Sequence, residues 1–461
     1  MAWHADLTHE MTGPRAEVIV ADGMAFLGSY AGHVRAWSVD TGEEIWRFLG
    51  EAPVWHSVGY ADDSIIVAWM DGNLRALNAP DGRIRWTKRR PAGYATAPTV
   101  SEGWVFIGDR SGHFAAHSHR HGGQEMWSID VGAPILTTAS MSRRGDRVVF
   151  AAEDMRVRCC EANSGKLVWT SKKLPGLSFR DYAPTVVDDL VLITTMPVKD
   201  FHTVLGEQEA WLLEKAGFVR EPGRDARFIA GSGEKWRREQ DEARRYFEAH
   251  PAERCLHALR LRDGTIPWTT PVFYTGGCHN PLTPPAVDRQ SGAVYVWTRS
   301  AYSVWDGGGE VRPLATPAKL DLNDGSLTPI AHGYASKDPN RPPGAPDCPW
   351  GAFAYIGDEA QALSCAPGRL FSCHQGFLGM LRLDDGTIHN LFGKRDTYAG
   401  FDGPGTWGWE KDGGPEKAAE AGARYASLNE WHGPARSIVS VAGGRVFFHS
   451  GGHVVCLTAE K

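Results

Sequence analysis

The side chains in this sequence best suited to chemistry are His56, the run Arg180-Asp181-Tyr182, the pair His279-Asn280, and Arg436. Imidazole and carboxylate groups exchange protons near neutral pH, and guanidinium groups hold anions through charge-assisted hydrogen bonds. Gathered in one place, they suit a ligand carrying negative charge or several hydroxyls, or acid/base work on a polar substrate. They are scattered along the chain and form no local catalytic motif. Their use depends on an architecture that brings them together.

That architecture is written in a repeated phrase. One copy is Ala76-Leu77-Asn78-Ala79-Pro80-Asp81-Gly82-Arg83-Ile84-Arg85-Trp86. Others end at Trp46, Trp169 and Trp268, each with a small residue six before a glycine and a tryptophan four after it. A copy with one extra turn residue ends at Trp127. In each, an apolar strand meets a turn where glycine tolerates positive φ, and the next strand brings an aromatic that can bury against a neighbour. Another strand pair precedes each copy, as in 97–108. Four short strands in about 40 residues read as one propeller blade.

The pattern resembles the PQQ-like repeat of quinoprotein-type β-propellers, and the resemblance covers nearly the whole chain. That family includes PQQ-dependent alcohol dehydrogenases and a non-catalytic outer-membrane assembly lipoprotein, both eight-bladed. The resemblance specifies fold more than activity. The fold expected is all-β: a single domain over residues 1–461, an eight-bladed β-propeller of four-stranded blades. Its last blade has three strands, ending at Thr458, while Ala2 to Leu7 look like a fourth strand without a blade. Pairing the two would close the ring and remove an exposed edge.

Insertions break the rhythm. Residues 197–254 interrupt blade five as a helical cap with helices expected over Gly206 to Ala216 and Glu234 to His250, the second stopped by Pro251. A second insertion lies between Thr298 and Ala318, and 332–360 and 393–436 are expected to form cap loops. In antiparallel blades the second-to-third connections and the blade-to-blade connections share one face. All four insertions therefore fall on the same face, and the Asp-Gly turns on the other. Function belongs on the loop-rich face, where a funnel opens along the axis. The residues opening the innermost strands there are Arg15, Trp55-His56-Ser57, Tyr94, Thr137-Thr138, Arg180-Asp181-Tyr182, His279-Asn280 and Arg436. From these, His56, Arg180, Asp181, Tyr182, His279, Asn280 and Arg436 are the candidate ligand-binding set.

Two other clusters carry less. His117, His119 and His121 alternate like metal ligands, yet His117 should point into its blade and the others sit at a turn on the plain face, so no dedicated metal site is expected. Cys159-Cys160 suggests the vicinal disulfide that lies against PQQ in the dehydrogenases. It falls mid-strand, where neighbours point to opposite faces. The eight cysteines leave the compartment open, and a bond between Cys278 and Cys348 is one pairing the loops allow.

Composition bounds the partners. A net charge of −6 gives no polyanion-binding signature, so no nucleic acid is expected, and no run of about 18 apolar residues exists to span a membrane. The leading expectation is a propeller that binds a small polar or anionic ligand, or a protein partner, through the funnel without PQQ chemistry. The alternatives are an enzyme using the same funnel and a structural assembly scaffold. The enzyme would be a PQQ/calcium-dependent oxidoreductase, for which Asp181 and Asn280 are fragments of a calcium set, or else a lyase or hydrolase. A monomer is expected. The resemblance implies a periplasmic or secreted location with a leader absent from this chain, and leaves the cytoplasm open.

Overall fold

The computed structural model describes residues 1–7, 10, 16–180, 183–199, 207, 210–211, 214–215, 227–228, 234–270, 284–306, 311–330, 333–334, 355–356, 363–374, 377–385, 388–392, 438–450 and 453–458. They form the eight blades of a β-propeller. Blade one sets the pattern with strands Ile19–Ala21, Met24–Gly28, Val34–Ser38 and Glu44–Phe48, paired antiparallel in that order. Blades two to eight follow over 59–89, 99–130, 140–170, 185–260, 286–329, 363–392 and 440–458. The second strands are almost wholly apolar, as in Ser64–Ala68, because both sheet faces are buried between neighbouring blades.

Strand Trp3–Asp6 completes blade eight by pairing with His453–Thr458 in the register Trp3 with Cys456 and Asp6 with His453. The first and last strands of the described chain thus close the ring.

The repeated tryptophan joins each blade to the next. The Trp46 indole lies on Gly82 of blade two and donates Nε1–H to the Ala79 carbonyl at 2.7 Å. Trp3, Trp127, Trp169 and Trp268 do the same with Val39, Ala162, Leu261 and Leu322 at 2.8, 2.9, 2.7 and 3.0 Å. The glycine under the ring answers two demands at once. Gly82 has φ +71°, and a Cβ there would stand 2.7 Å from Trp46 Cε3.

Nearer the axis, hydroxyls fasten blade to blade. The Glu17 N–H donates to Ser57 Oγ at 2.8 Å, and Ala97 N–H to Thr138 Oγ1 at 2.9 Å. Thr99 Oγ1 donates to Ala139 O at 2.6 Å, and Ser440 Oγ to Glu17 Oε1 at 3.2 Å.

Blade five departs from the pattern. It has three described strands, and Pro267, just before the docking Trp268, has no N–H to give a ladder. Its insertion carries helix α1 (Glu234–Ala249), ended by the turn Pro251–Glu253. Helix α1 lies against the outermost strand of blade six. Gln240 Nε2 donates to Leu327 O, and Leu327 N–H to Gln240 Oε1, both at 2.7 Å. Residues 207, 210–211 and 214–215 are helical as well.

The second insertion lengthens a hairpin, with strands Val294–Asp306 and Val311–Leu320. Strand Arg227–Phe228 of the first insertion pairs with Gly333–Tyr334, and Tyr355–Ile356 pairs with the blade six hairpin. Three of the four insertions therefore meet through their backbones. The fourth, 393–436, lies outside the described residues.

Candidate funnel site

Arg180 belongs to the link between blades four and five, and Trp55 to the link between blades one and two. Their side chains nevertheless meet, with the Arg180 Cζ 5.1 Å from the Trp55 ring centroid. Elements three blades apart in a closed ring can touch only across the axis, so this pair marks the mouth of the funnel. Tyr30, from the loop between the second and third strands of blade one, stacks on Trp55 at 5.0 Å between centroids and 21° between planes. Arg180 is exposed, while Tyr30 and Trp55 are half-buried. Cation–π contact of this kind draws a guanidinium to the face of an indole.

The backbone under Arg180 is fixed. Its own N–H donates to Ser178 Oγ at 2.9 Å, and the Phe179 N–H donates to Glu153 Oε1 at 3.2 Å. The Phe179 ring is buried against Val191 and Ile193 of blade five. An exposed cation thus sits on an ordered support.

Closer along the chain to their inner strands stand His56 and then Glu17. His56 is buried, next to Ser57. Glu17 lies two residues before the first strand of blade one, at the level of Ser57 and Thr138. Its carboxyl accepts from Ser440 of blade eight and feels the positive charge of Arg289 from blade six, again across the axis. Burial outweighs both and raises its pKa above the usual carboxylate range. Beside it, His449 Nε2–H donates to Ala16 O at 3.0 Å, and burial holds that imidazole neutral, with its pKa lowered to about 4.

Of the residues read from sequence, His56 is buried and Arg180 lies over Trp55. Asp181, Tyr182, His279, Asn280 and Arg436 lie outside the described residues. Tyr94 belongs to the packing between blades two and three, beside Ile66 and Val105. Tyr30 and Glu17 were missed. Glu17 could have been found by counting back from the inner strand, because it falls at the position of Ser57.

The remaining candidates resolve structurally. Cys159 packs with Val191 and Ile193 of blade five, and Cys160 with Phe106 and Phe114 of blade three, so the thiols point to opposite faces and both are free. His117 is buried with Nδ1 on Gly123 O at 3.0 Å, and His121 Nδ1 meets Ser118 Oγ at 2.8 Å. Among the described residues no group of three or more His, Cys, Asp or Glu is arranged to hold a metal. No described helix is long and apolar enough to cross a membrane.

Fold and repeat define an eight-bladed propeller of PQQ-like repeats. The chain matches the family model described as outer membrane protein assembly factor BamB over residues 2–120 and 30–270, more than half its length, and so belongs to that family. It is 24% identical over 285 residues to the BamB of Yersinia pestis, spanning 54% of this chain and 67% of that protein. It is also 28% identical over 125 residues to the quinohemoprotein alcohol dehydrogenase ADH IIB of Pseudomonas putida, spanning 24% of this chain and 18% of the enzyme. The crystal structure of BamB from Moraxella catarrhalis has a TM-score of 0.51 at 13% identity, covering 100% of this chain and 98% of that one. The quinohemoprotein alcohol dehydrogenase from Comamonas testosteroni has a TM-score of 0.52 at 12% identity, covering 84% and 68%. The structural likenesses establish the fold.

Proposed function

We propose that this propeller is a non-catalytic binding module of the cell envelope whose funnel, on the loop-rich face, receives a protein partner. The observation carrying this reading is the convergence of Tyr30, Trp55 and Arg180 across the axis. Tyrosine, tryptophan and arginine dominate binding hot spots because they offer large contact area and directed hydrogen bonds at small entropic cost. Membership of a family described by an assembly factor supports a protein as the occupant, and small polar or anionic ligands suit the same guanidinium. The insertions 197–254, 332–360 and 393–436 would then shape the rim, with His56, Asp181, Tyr182, His279, Asn280 and Arg436 around it.

The likeness to ADH IIB raises a PQQ- and calcium-dependent oxidoreductase as the second reading. Cys159 and Cys160, on opposite sheet faces, do not fit the vicinal disulfide of that site, and no step is assigned to the cofactor. Mixing the purified protein with PQQ and calcium tests it: a gain of the quinone absorption band would favour the enzyme.

For the binding reading, a photo-cross-linking residue at Tyr30 should capture a partner in intact envelopes, while one at Asp40 on the plain face should not. Arg180→Ala should reduce the yield at Tyr30. Equal capture at both positions would remove the funnel from the reading.

A further inference from the structure

The outermost strand of blade two, Ile84–Arg89, ends its sheet, and among the described residues nothing pairs with its outer side. Arg90 N–H donates to Gly72 O at 2.8 Å, which fixes the phase of the ladder with Asn73–Asn78. Antiparallel pairing alternates, so the N–H and C=O of Trp86 and Lys88 face inward while those of Thr87 and Arg89 face out. Both outward residues are exposed. The same stretch is basic. Residues 83–90 hold five Arg or Lys and no Asp or Glu, in a chain of net charge −6. Arg85 is held by Asn78 Oδ1 and Arg90 by Asp109 Oδ2, each at 3.1 Å. Lys88 and Arg89 make no hydrogen bond or ion pair among the described residues. We propose that this edge is a second docking surface, which takes an extended acidic segment of a protein partner as a fifth strand. It stands apart from the funnel and does not rest on that reading.

The edges of the neighbouring blades show why the charge matters. In blade six, Leu327 N–H and C=O are already engaged by Gln240 of helix α1. In blade five, Pro267 has no N–H to offer. Blade four ends on the four uncharged residues Leu167–Thr170. Blade three ends on Gln124–Asp130, whose Glu125 and Asp130 hold His113 between them at 3.2 and 3.1 Å. Blade one ends on Glu44–Phe48, where Glu44 and Arg47 pair with each other. Of these six edges, that of blade two alone joins a regular outer ladder to cations without a counter-charge. Basic residues on an edge ordinarily keep strands apart, and here they repel a second copy of the same edge. The repulsion becomes attraction for a strand carrying Asp or Glu, because opposite charges facing across a ladder stabilise it. Main-chain bonds at Thr87 and Arg89 supply affinity, and Lys88 and Arg89 supply the choice of partner. Ile84, exposed at the start of the strand, gives an apolar residue of the partner a place to rest.

The probes are short capped peptides alternating valine with aspartate or valine with lysine, and an N-methylated form of the aspartate peptide that has lost its amide donors. Each is labelled and titrated by fluorescence anisotropy against the full chain. The aspartate peptide should bind about tenfold more tightly than the lysine peptide at low salt. That preference should shrink at about 1 M salt, where exposed charges are screened. The N-methylated peptide keeps the charge and should bind about tenfold more weakly than its parent. Amide exchange at Thr87 and Arg89 should slow when the aspartate peptide is bound. Thr87→Pro removes an outward N–H and keeps the inward bonds, so it should lose the peptide while melting close to the parent protein. Changing Lys88→Glu together with Arg89→Glu touches no ladder bond and should reverse the order of the two charged peptides. That pair of changes decides the matter if the proline variant fails to fold. Equal binding of the charged peptides, full binding by the N-methylated one, or no binding by any of them overturns strand addition at this edge. An aspartate peptide indifferent to the change at Lys88 and Arg89 does the same. Vesicles of anionic phospholipid that recruit the protein through these two cations, while the peptides do not bind, would make the stripe a lipid-facing one instead.

Discussion

Trp86 Nε1 donates to the ring nitrogen Nδ1 of His119 at 3.1 Å, where the other described docking tryptophans use a main-chain carbonyl. The extra turn residue before Trp127 makes room for this substitution, and the two rings pack at 5.9 Å. A carbonyl accepts at any pH, whereas Nδ1 accepts only when unprotonated. The junction between blades two and three is therefore the one among these whose hydrogen bond titrates.

The pH dependence of stability follows. Burial lowers the folded pKa of His119 and His117, and lowers those of His257 and His449 to about 4. Folded values below the unfolded value near 6.5 mean that the unfolded chain binds more protons in that interval. Melting temperature should be flat above about pH 7 and fall as pH drops from about 6.5 toward 4. His119→Ala, measured by thermal melts across this range, should cost about 1–2 kcal/mol at pH 7.5 and make the decline shallower.

Docking glycines can be separated from ordinary turn glycines. Gly82 (φ +71°) and Gly23 (φ +75°) have similar backbones, but a Cβ on Gly82 meets Trp46 while one on Gly23 meets nothing within 4 Å. Gly82→Ala should lower stability by about 1–3 kcal/mol more than Gly23→Ala, the difference being the displaced indole. Denaturant midpoints of the two variants measure it.

Ring closure depends on Trp3, whose indole is buried and bonded to Val39. Trp3→Ala should cost about 3–5 kcal/mol. Deleting residues 1–8 should cost more, because the ladder to His453–Thr458 is lost as well. A truncated chain that melts like the full one would contradict the closure.

Helix α1 is tied into the propeller more firmly than its place in an insertion suggests. Gln240→Ala removes both bonds to Leu327 and leaves a buried N–H and carbonyl unpaired, at a cost of about 2–4 kcal/mol. Glu248→Ala, exposed on the same helix, should change little. Comparing the two by chemical denaturation tests whether the helix braces the outermost strand of blade six.

The fold was legible because each repeat reports its own local physics. An Asp-Gly turn, a small residue and a tryptophan specify a strand pair wherever they occur, and blade eight announced its missing strand by stopping at Thr458. The candidate site was legible only in part. His56 and Arg180 follow from strand starts, but Tyr30 lies in a loop whose spacing carries no periodic signal, and Glu17 needed the register of a neighbouring blade. Helix α1 was read correctly from Glu234 onward, yet its attachment to blade six depends on one glutamine reaching a strand some 87 positions away. Periodicity cannot encode such a contact.

The seam between Trp3 and Cys456 also sets an order of events. On the ribosome the strand that seals the circle emerges before the other described strands of the propeller, and its partner after them. Until residues 453–458 arrive, strand Trp3–Asp6 has no ladder and the flanks of blades one and eight stay open. Sealing is the contact of greatest sequence separation in the described chain, and such contacts form late and slowly. An unsealed circle shows strand edges to every other chain nearby, so the interval before the seam forms is when this protein is most exposed to aggregation.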